Sequence, residues 1–374
     1  NIGHSQIEVQ GTFPNILEAI PKQHLKEINR ISKLTGSKLS FHGPMVEPSG
    51  FNQQGGRWDE ANRQQVERQL SNAVEAGHEL DPKGNIIITL HSSAQLPELL
   101  SREKIGKEEK TRGMYVIDPY SGTVQMIKEG EKFFPESAEA APYKFEPEKE
   151  LKKINKEKWD DTLNHFVYYA DVAESRGMQG ELPEPIKKIK EKIDAGLINY
   201  EDAIKDEPNF IKYGQILDPK SSSNQRKEIF LRNSYNDLRN LFDMAYRSAR
   251  DNNNKEDIKN LDKFREQIRD IYPKLEKNDS GAMGEAINKG IEVLKSLSEN
   301  PKIFRPFNDF AIEKSAETFA NVALHSYNKF KETAPVISIE NPPAGSGLSR
   351  AEDMKKLIDE ARNKFIKGLS EKGI

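Results

Sequence analysis

Asn85-Ile86-Ile87-Ile88-Thr89-Leu90-His91 is an unbroken apolar run between a turn signature, Asp81-Pro82-Lys83-Gly84, and a histidine. A run of this kind, without the alternation of a half-wet strand, marks a strand buried in a parallel sheet. Upstream, residues 59–77 carry Val66, Leu70, Ala73 and Val74 at helical spacing. Lys38-Leu39-Ser40-Phe41-His42 reads as a second strand, directly after a helix over 21–34 with Leu25, Ile28, Ile31 and Leu34 at three-residue steps and Gly36 at its end. Ile7-Glu8-Val9-Gln10 alternates before Gly11 and reads as a first, short strand. Strand, helix, strand, helix, strand in this order predicts parallel βα units.

The alternation then breaks. Residues 43–57 hold Gly43, Pro44, Pro48, Gly50, Gly55 and Gly56, too many breakers for regular structure. Residues 114–118 and 123–127 flank Pro119-Tyr120-Ser121-Gly122 and predict a β-hairpin. From 146 to 302 the chain turns to Lys-, Glu- and Asp-rich helical text, with helices expected over 149–175, 183–195, 224–250 and 255–275. A helix over 304–331 leads into Ala334-Pro335-Val336-Ile337-Ser338-Ile339-Glu340-Asn341-Pro342-Pro343-Ala344-Gly345-Ser346-Gly347, a strand ending in a carboxylate, followed by a last helix over 348–365. The predicted organisation is a discontinuous α/β domain over 1–112 and 303–374, a hairpin and linker over 113–145, and an α-helical insertion domain over 146–302.

Charge and composition exclude some roles. The 57 basic and 60 acidic side chains nearly cancel, to a net charge of −3. No global positive field therefore steers the chain to nucleic acid, and DNA is a partner class that the net charge does not support. There is no cysteine, so disulfides and thiolate metal sites are excluded. With a mean hydropathy of −0.79 and no long apolar run, the expectation is a cytoplasmic protein that does not enter a membrane.

Three strand ends share one chemistry. In α/β proteins the C-terminal ends of parallel strands gather ligands, and here they carry His42, His91 and Glu340. Two imidazoles and a carboxylate are a zinc donor set of the catalytic kind, which leaves a fourth position open; manganese and iron also accept it. The plain alternative is a histidine hydrogen-bonded to its own loop, and a Glu340 that caps a turn. His4, His24, His78, His165 and His325 lie off this pattern, with His325 read as a packing residue. Gly345-Ser346-Gly347 predicts a loop that needs positive φ, with Ser346 or Ser349 capping the next helix, in preference to a phosphate cradle. Phe230, Arg232, Tyr235, Arg239, Phe242, Tyr246 and Arg247 read as a packed helix face with solvated Arg, in preference to a stack for single-stranded nucleic acid.

The segments Ser5–Gln10, Lys38–Pro44, Ile86–Ser92 and Ile337–Gly347 together resemble strands two to five of the endonuclease IV-like, or xylose isomerase-like, TIM-barrel superfamily, its archaeal members in particular. The resemblance implies an α/β fold that is a partial (β/α)8 TIM barrel of about four parallel βα units, interrupted by the hairpin and the helical insertion. It implies that His42, His91 and Glu340 are metal ligands, with Glu340 bridging two ions of a zinc cluster. The implied activity is phosphodiester cleavage by metal-bound hydroxide, as at abasic sites in DNA. A divalent-metal sugar isomerase or epimerase of the same superfamily is the first alternative, and a non-catalytic interaction protein built around the helical insertion is the second. Four strands are half of a barrel, and the chain opens on Asn1 without a Met. A remaining half-barrel, in cis or in trans, is therefore the expected partner.

Overall fold

The computed structural model describes residues 6–93, 96, 100–105, 108–128, 145–177, 188–189, 191–193, 195–199, 202–203 and 223–371. The chain divides into two compact units, Asn1–Leu151 with Phe304–Ile374, and Lys152–Ile303.

In the first unit β1 (Gln6–Gln10) is followed by α1 (Pro14–Ala19), α2 (Lys22–Thr35), β2 (Lys38–His42), the two-residue strands β3 (Phe51–Asn52) and β4 (Arg57–Trp58), α3 (Glu60–Leu80) and β5 (Ile87–His91). β6 (Leu100–Ile105), β7 (Glu108–Ile117) and β8 (Val124–Lys128) come next. The second unit holds the body of α4 (Pro147–Gly177), then α5 (Ser223–Asp251), α6 (Lys255–Arg269), α7 (Tyr272–Leu275) and α8 (Ser280–Lys295). The first unit resumes with β9 (Arg305–Pro306), α9 (Phe307–Phe330), β10 (Val336–Glu340) and α10 (Ala351–Ser370). The expected helix over 183–195 lies largely outside the described residues.

β1, β2, β5 and β10 form one parallel sheet in that order. Local chemistry sets its elements. Gly36 takes φ +69 and ends α2, and Asp59 accepts from the Ala61 amide at 2.9 Å to start α3. Gly84 closes the turn before β5, where only a residue without Cβ passes the Thr333 carbonyl. Register does the rest: Ser40 lies beside Ile87, and Ile87 beside Val336.

One face of this sheet is packed. Phe41, Ile88 and Leu90 are almost wholly buried among Leu70, Ala73 and Val74 of α3 and the aromatic face of α9. Gly77 and Gly43 keep the space that Ile88 and Leu90 fill, since a Cβ at either lies 2.5 Å from those side chains. The other face is open. Glu8, Ser40, Ile87 and Val336 form one row across it, and Gln10, His42, Thr89 and Ser338 the next, with His91 and Glu340 at the rim. Ile87 is 52% exposed and Val336 60%. The apolar run 85–91 is thus buried on its even-numbered positions alone, and burial on both faces is not met within the described chain. α2 gives a second departure: each three-residue step falls about 60° short of a full helical turn, so Leu25 is buried while Ile31 and Leu34 have rotated into solvent.

The hairpin is present as β7 and β8, joined through a turn in which Asp118 accepts from Tyr120 and Ser121 and Gly122 takes φ +71. It belongs to a larger antiparallel sheet with β6 and β9. Residues 43–57 do contain regular structure, the short β3–β4 ladder, which joins the hairpin tip through Trp58 N–H to the Gly122 carbonyl at 2.8 Å.

In the second unit α5, α6 and α8 pack together on Leu238, Leu241, Leu261, Phe264, Ala286 and Ile287. Gly290 leaves space for Leu238. Phe242 meets Phe264 with ring centroids 5.3 Å apart, and Arg265 lies over Tyr246. These aromatic side chains are engaged in packing, and Pro273 sets off the short α7 from α6 within the expected helix over 255–275. Among the described residues no helix is long and apolar enough to cross a membrane.

The two-faced sheet predicts unequal costs for neighbouring residues of one strand. Ile88→Ala lowers unfolding stability by about 2–5 kcal/mol, whereas Ile87→Ala changes it by about 0.5 kcal/mol or less. Denaturant titration of the two variants checks this, and equal large losses would contradict an open face.

Candidate metal centre

β2, β5 and β10 each end on a residue directed to the open face, and backbone bonds fix the rim they share. Gly11 N–H donates to the His42 carbonyl at 2.7 Å, Gly43 N–H to Thr89 at 2.8 Å, and Ser92 N–H to Glu340 at 2.9 Å. Each is the parallel ladder continued one residue past the strand.

Their side chains converge. His42 Nε2 lies 3.3 Å from Glu340 Oε2, and His91 Nδ1 lies 3.8 Å from the same oxygen. The two imidazole centroids are 4.8 Å apart. One ligand atom from each residue falls within 4.8 Å of the others, and among the described residues this is the group of His, Asp and Glu side chains so arranged. The histidine side chains are 19% and 15% exposed and Glu340 is 47% exposed, so the cluster is walled on the protein side and open on the other.

The hydrogen bonding is short of a positive charge. His42 Nδ1 lies 3.2 Å from the Gly43 carbonyl oxygen, while Nε2 faces the Glu340 carboxylate. Both neighbours are acceptors, and a neutral imidazole has one N–H. In either tautomer one lone pair therefore points at another. A cation resolves this, either as a second proton or as a metal ion between Nε2 and Oε2. His91 Nε2 is buried and has no hydrogen-bond partner among the described residues. Burial first, then the neighbouring His42, pushes the His91 pKa below the ordinary histidine value, opposed by Glu340. The shift is toward the neutral ring that metal binding requires.

The donor set fits a divalent ion. Two neutral imidazoles and one carboxylate suit zinc and leave coordination open toward the exposed side. Ligand type equally admits manganese and iron. With one carboxylate in the set, a bound divalent ion retains a positive charge, which favours an anionic group at the open position.

The remaining sequence candidates lie elsewhere. His78 stacks on Phe330, with centroids 3.7 Å apart, and His325 Nε2 pairs with Glu75 at 2.9 Å. His165 meets Tyr169 edge-on, His24 lies on α2, and His4 lies outside the described residues. Gly345 and Gly347 take φ +86 and +43 as expected, but the cap of α10 is Arg350 and it makes no side-chain cap bond. Ser346 instead donates to the Pro343 carbonyl. Sequence reasoning missed Glu47 and Ser93, which lie behind the rim. A single acid within a glycine- and proline-rich loop, and a serine two residues past a strand, carry no periodic signal.

Zinc added to the purified chain is expected to raise its melting temperature, by about 2.7 kcal/mol of stability at 100 times the dissociation constant. A chelator reverses the rise, and His91→Ala abolishes it. Differential scanning fluorimetry reads both, and an unchanged wild-type melting temperature would contradict a metal site.

Comparison of the chain with models of protein families, with curated proteins and with solved structures finds no match to any of them, so the functional assignment rests on the geometry of these three side chains.

Proposed function

We propose that the chain carries the metal centre of a divalent-metal hydrolase acting on phosphodiesters, with zinc as the first choice of ion. The observation that supports it is the convergence of His42 Nε2 and His91 Nδ1 on one Glu340 oxygen at the mouth of parallel strands. His42 and His91 are the neutral ligands, and Glu340 is the anionic ligand or the bridge between two ions. A divalent ion held by these residues would supply Lewis acidity to a phosphoryl oxygen and offset the negative charge that builds on the phosphoryl and leaving-group oxygens. The chain's own contribution is positional. The ladder bonds of Gly43 and Ser92 hold the three donors at fixed separation, and the packed face behind them excludes water from one side.

The same reading includes a partner. β1 and β10 are the end strands of the described sheet, and its open face carries exposed apolar Ile87 on β5 and Val336 on β10. Parallel sheets are ordinarily covered on both faces, and open edges invite pairing. Further parallel βα units, in cis or in trans, are proposed to complete a (β/α)8 barrel around the open face and to bring additional ligands to the rim.

A second reading keeps the centre and changes the substrate. Gln10, Ser40, Thr89 and Ser338 give the open face neutral hydrogen-bonding groups beside the opposite charges of Glu8 and Lys38, which suits a sugar and an isomerase or epimerase reaction better than a charged polymer. The interaction-protein alternative, built around the helical unit, has no observation in its favour beyond that unit's presence.

The zinc-loaded chain, joined by the further βα units that complete the barrel, is expected to hydrolyse bis(p-nitrophenyl) phosphate and abasic-site duplex DNA. Glu340→Gln is expected to lose more than the roughly 10–100-fold typical of groups behind a metal's ligands. Aldose–ketose interconversion without phosphodiester cleavage would favour the second reading, and neither activity in the metal-loaded, completed barrel would contradict both.

A further inference from the structure

Glu47 is a carboxylate placed where charge is expensive. It is 3% exposed, five residues past His42 in the loop that follows β2. Its Oε1 accepts from the Ser49 amide at 3.2 Å and the Ser49 hydroxyl at 2.8 Å, and its Oε2 accepts from the Ser93 hydroxyl at 3.1 Å. Ser93 is itself 2% exposed and lies two residues past His91. A buried carboxylate persists only when charge-assisted hydrogen bonds offset its lost hydration, and these bonds span two different rim loops.

The third loop meets them at the same place. Gly347, seven residues past Glu340, approaches Ser93 so closely that a Cβ there lies 3.1 Å from the Ser93 Cβ and 3.0 Å from that of Leu96. The segments following all three ligand-bearing strands therefore converge on Ser93. Glu47 joins them to the rigid framework: its carbonyl accepts from Gly50 N–H, Thr318 of α9 donates to the Pro48 carbonyl at 2.8 Å, and Trp58 Nε1 donates to the Ser49 carbonyl at 2.8 Å. From Ser93 the chain runs directly to Ser92, whose amide holds the Glu340 carbonyl, and to His91.

We propose that Glu47 is a positioning residue of the metal centre. Its carboxylate acts through Ser49 and Ser93. Through Ser93 it fixes the backbone that carries His91 and holds Glu340, so that the donors meet at one point. This rests on the metal-binding reading of His42, His91 and Glu340.

The test is zinc affinity by competition with a chromophoric chelator, together with the visible absorption of the cobalt-substituted full chain, for wild type, Glu47→Gln and Ser93→Ala. Glu47→Gln keeps shape and removes the charge that the two serines solvate. It is expected to unfold cooperatively, bind zinc about 10–100-fold more weakly and shift the cobalt ligand-field bands, with partial recovery in Glu47→Asp. If Glu47→Gln does not fold, Ser93→Ala severs the same link from the other side and is expected to give the same loss. Wild-type affinity and an unchanged cobalt spectrum in the folded variants would overturn the proposal, whatever their melting temperatures. A wild-type chain that binds neither zinc nor cobalt would overturn the metal reading itself, and this proposal with it.

Discussion

Two imidazoles directed at a single carboxylate oxygen set the constraint on which the rest of the site depends. His42 lies between two acceptors, the Gly43 carbonyl and Glu340, and has one proton to give as a neutral ring. His91, beside it, is driven toward its neutral form by burial and by His42. A second proton on His42 satisfies one ring and leaves the buried Nε2 of His91 without a partner. A divalent cation would take up His42 Nε2, His91 Nδ1 and Glu340 Oε2 together, with the N–H of His91 left on Nε2. Its affinity depends on holding three groups from strands far apart in sequence at a few ångströms.

The framework that holds them is built on the packed side of the sheet. Arg63 of α3, 3% exposed, bonds Glu60 and Glu67 on its own helix and reaches Glu317 and the Thr318 hydroxyl on α9. Burial pulls the Arg63 pKa down, and the hydrogen bonds and charges of Glu60, Glu317 and Glu67 overcome that and hold it above its ordinary value. Thr318 passes the linkage on to Pro48. Gly50, at φ +84, leaves no room for a side chain against Arg63. A continuous path of packed and hydrogen-bonded groups thus runs from the α3–α9 interface to the rim loop, and from there through Glu47 and Ser93 to His91 and Glu340.

The parallel sheet was legible because apolar strands, turn residues and helix caps recur in order, and the three candidate residues His42, His91 and Glu340 were legible because each ends a strand of one sheet. Physical reasons also explain what was not. An apolar run such as 85–91 records the chemistry of both faces but not whether the same chain covers both, so the exposure of Ile87 had no signature. Strict three-residue spacing in α2 looked like an apolar face, yet it winds around the helix and takes Leu34 to the side opposite Leu25. Glu47 resembles any solvated loop acid until the fold carries Ser93 to it across 46 residues. The helix of α10 starts at Ala351, one residue too late for Ser349 and four too late for Ser346 to stand at its N-cap, and Arg350 takes that place.

X-ray absorption at the zinc edge of the metal-loaded chain tests the central claim most directly, because it reports the atoms around the ion. The account predicts a first shell of nitrogen and oxygen at about 2.0–2.2 Å, with the multiple-scattering pattern of two imidazoles that falls to one in His42→Ala. A shell without imidazole, or one unchanged in that variant, would place the metal elsewhere and contradict it.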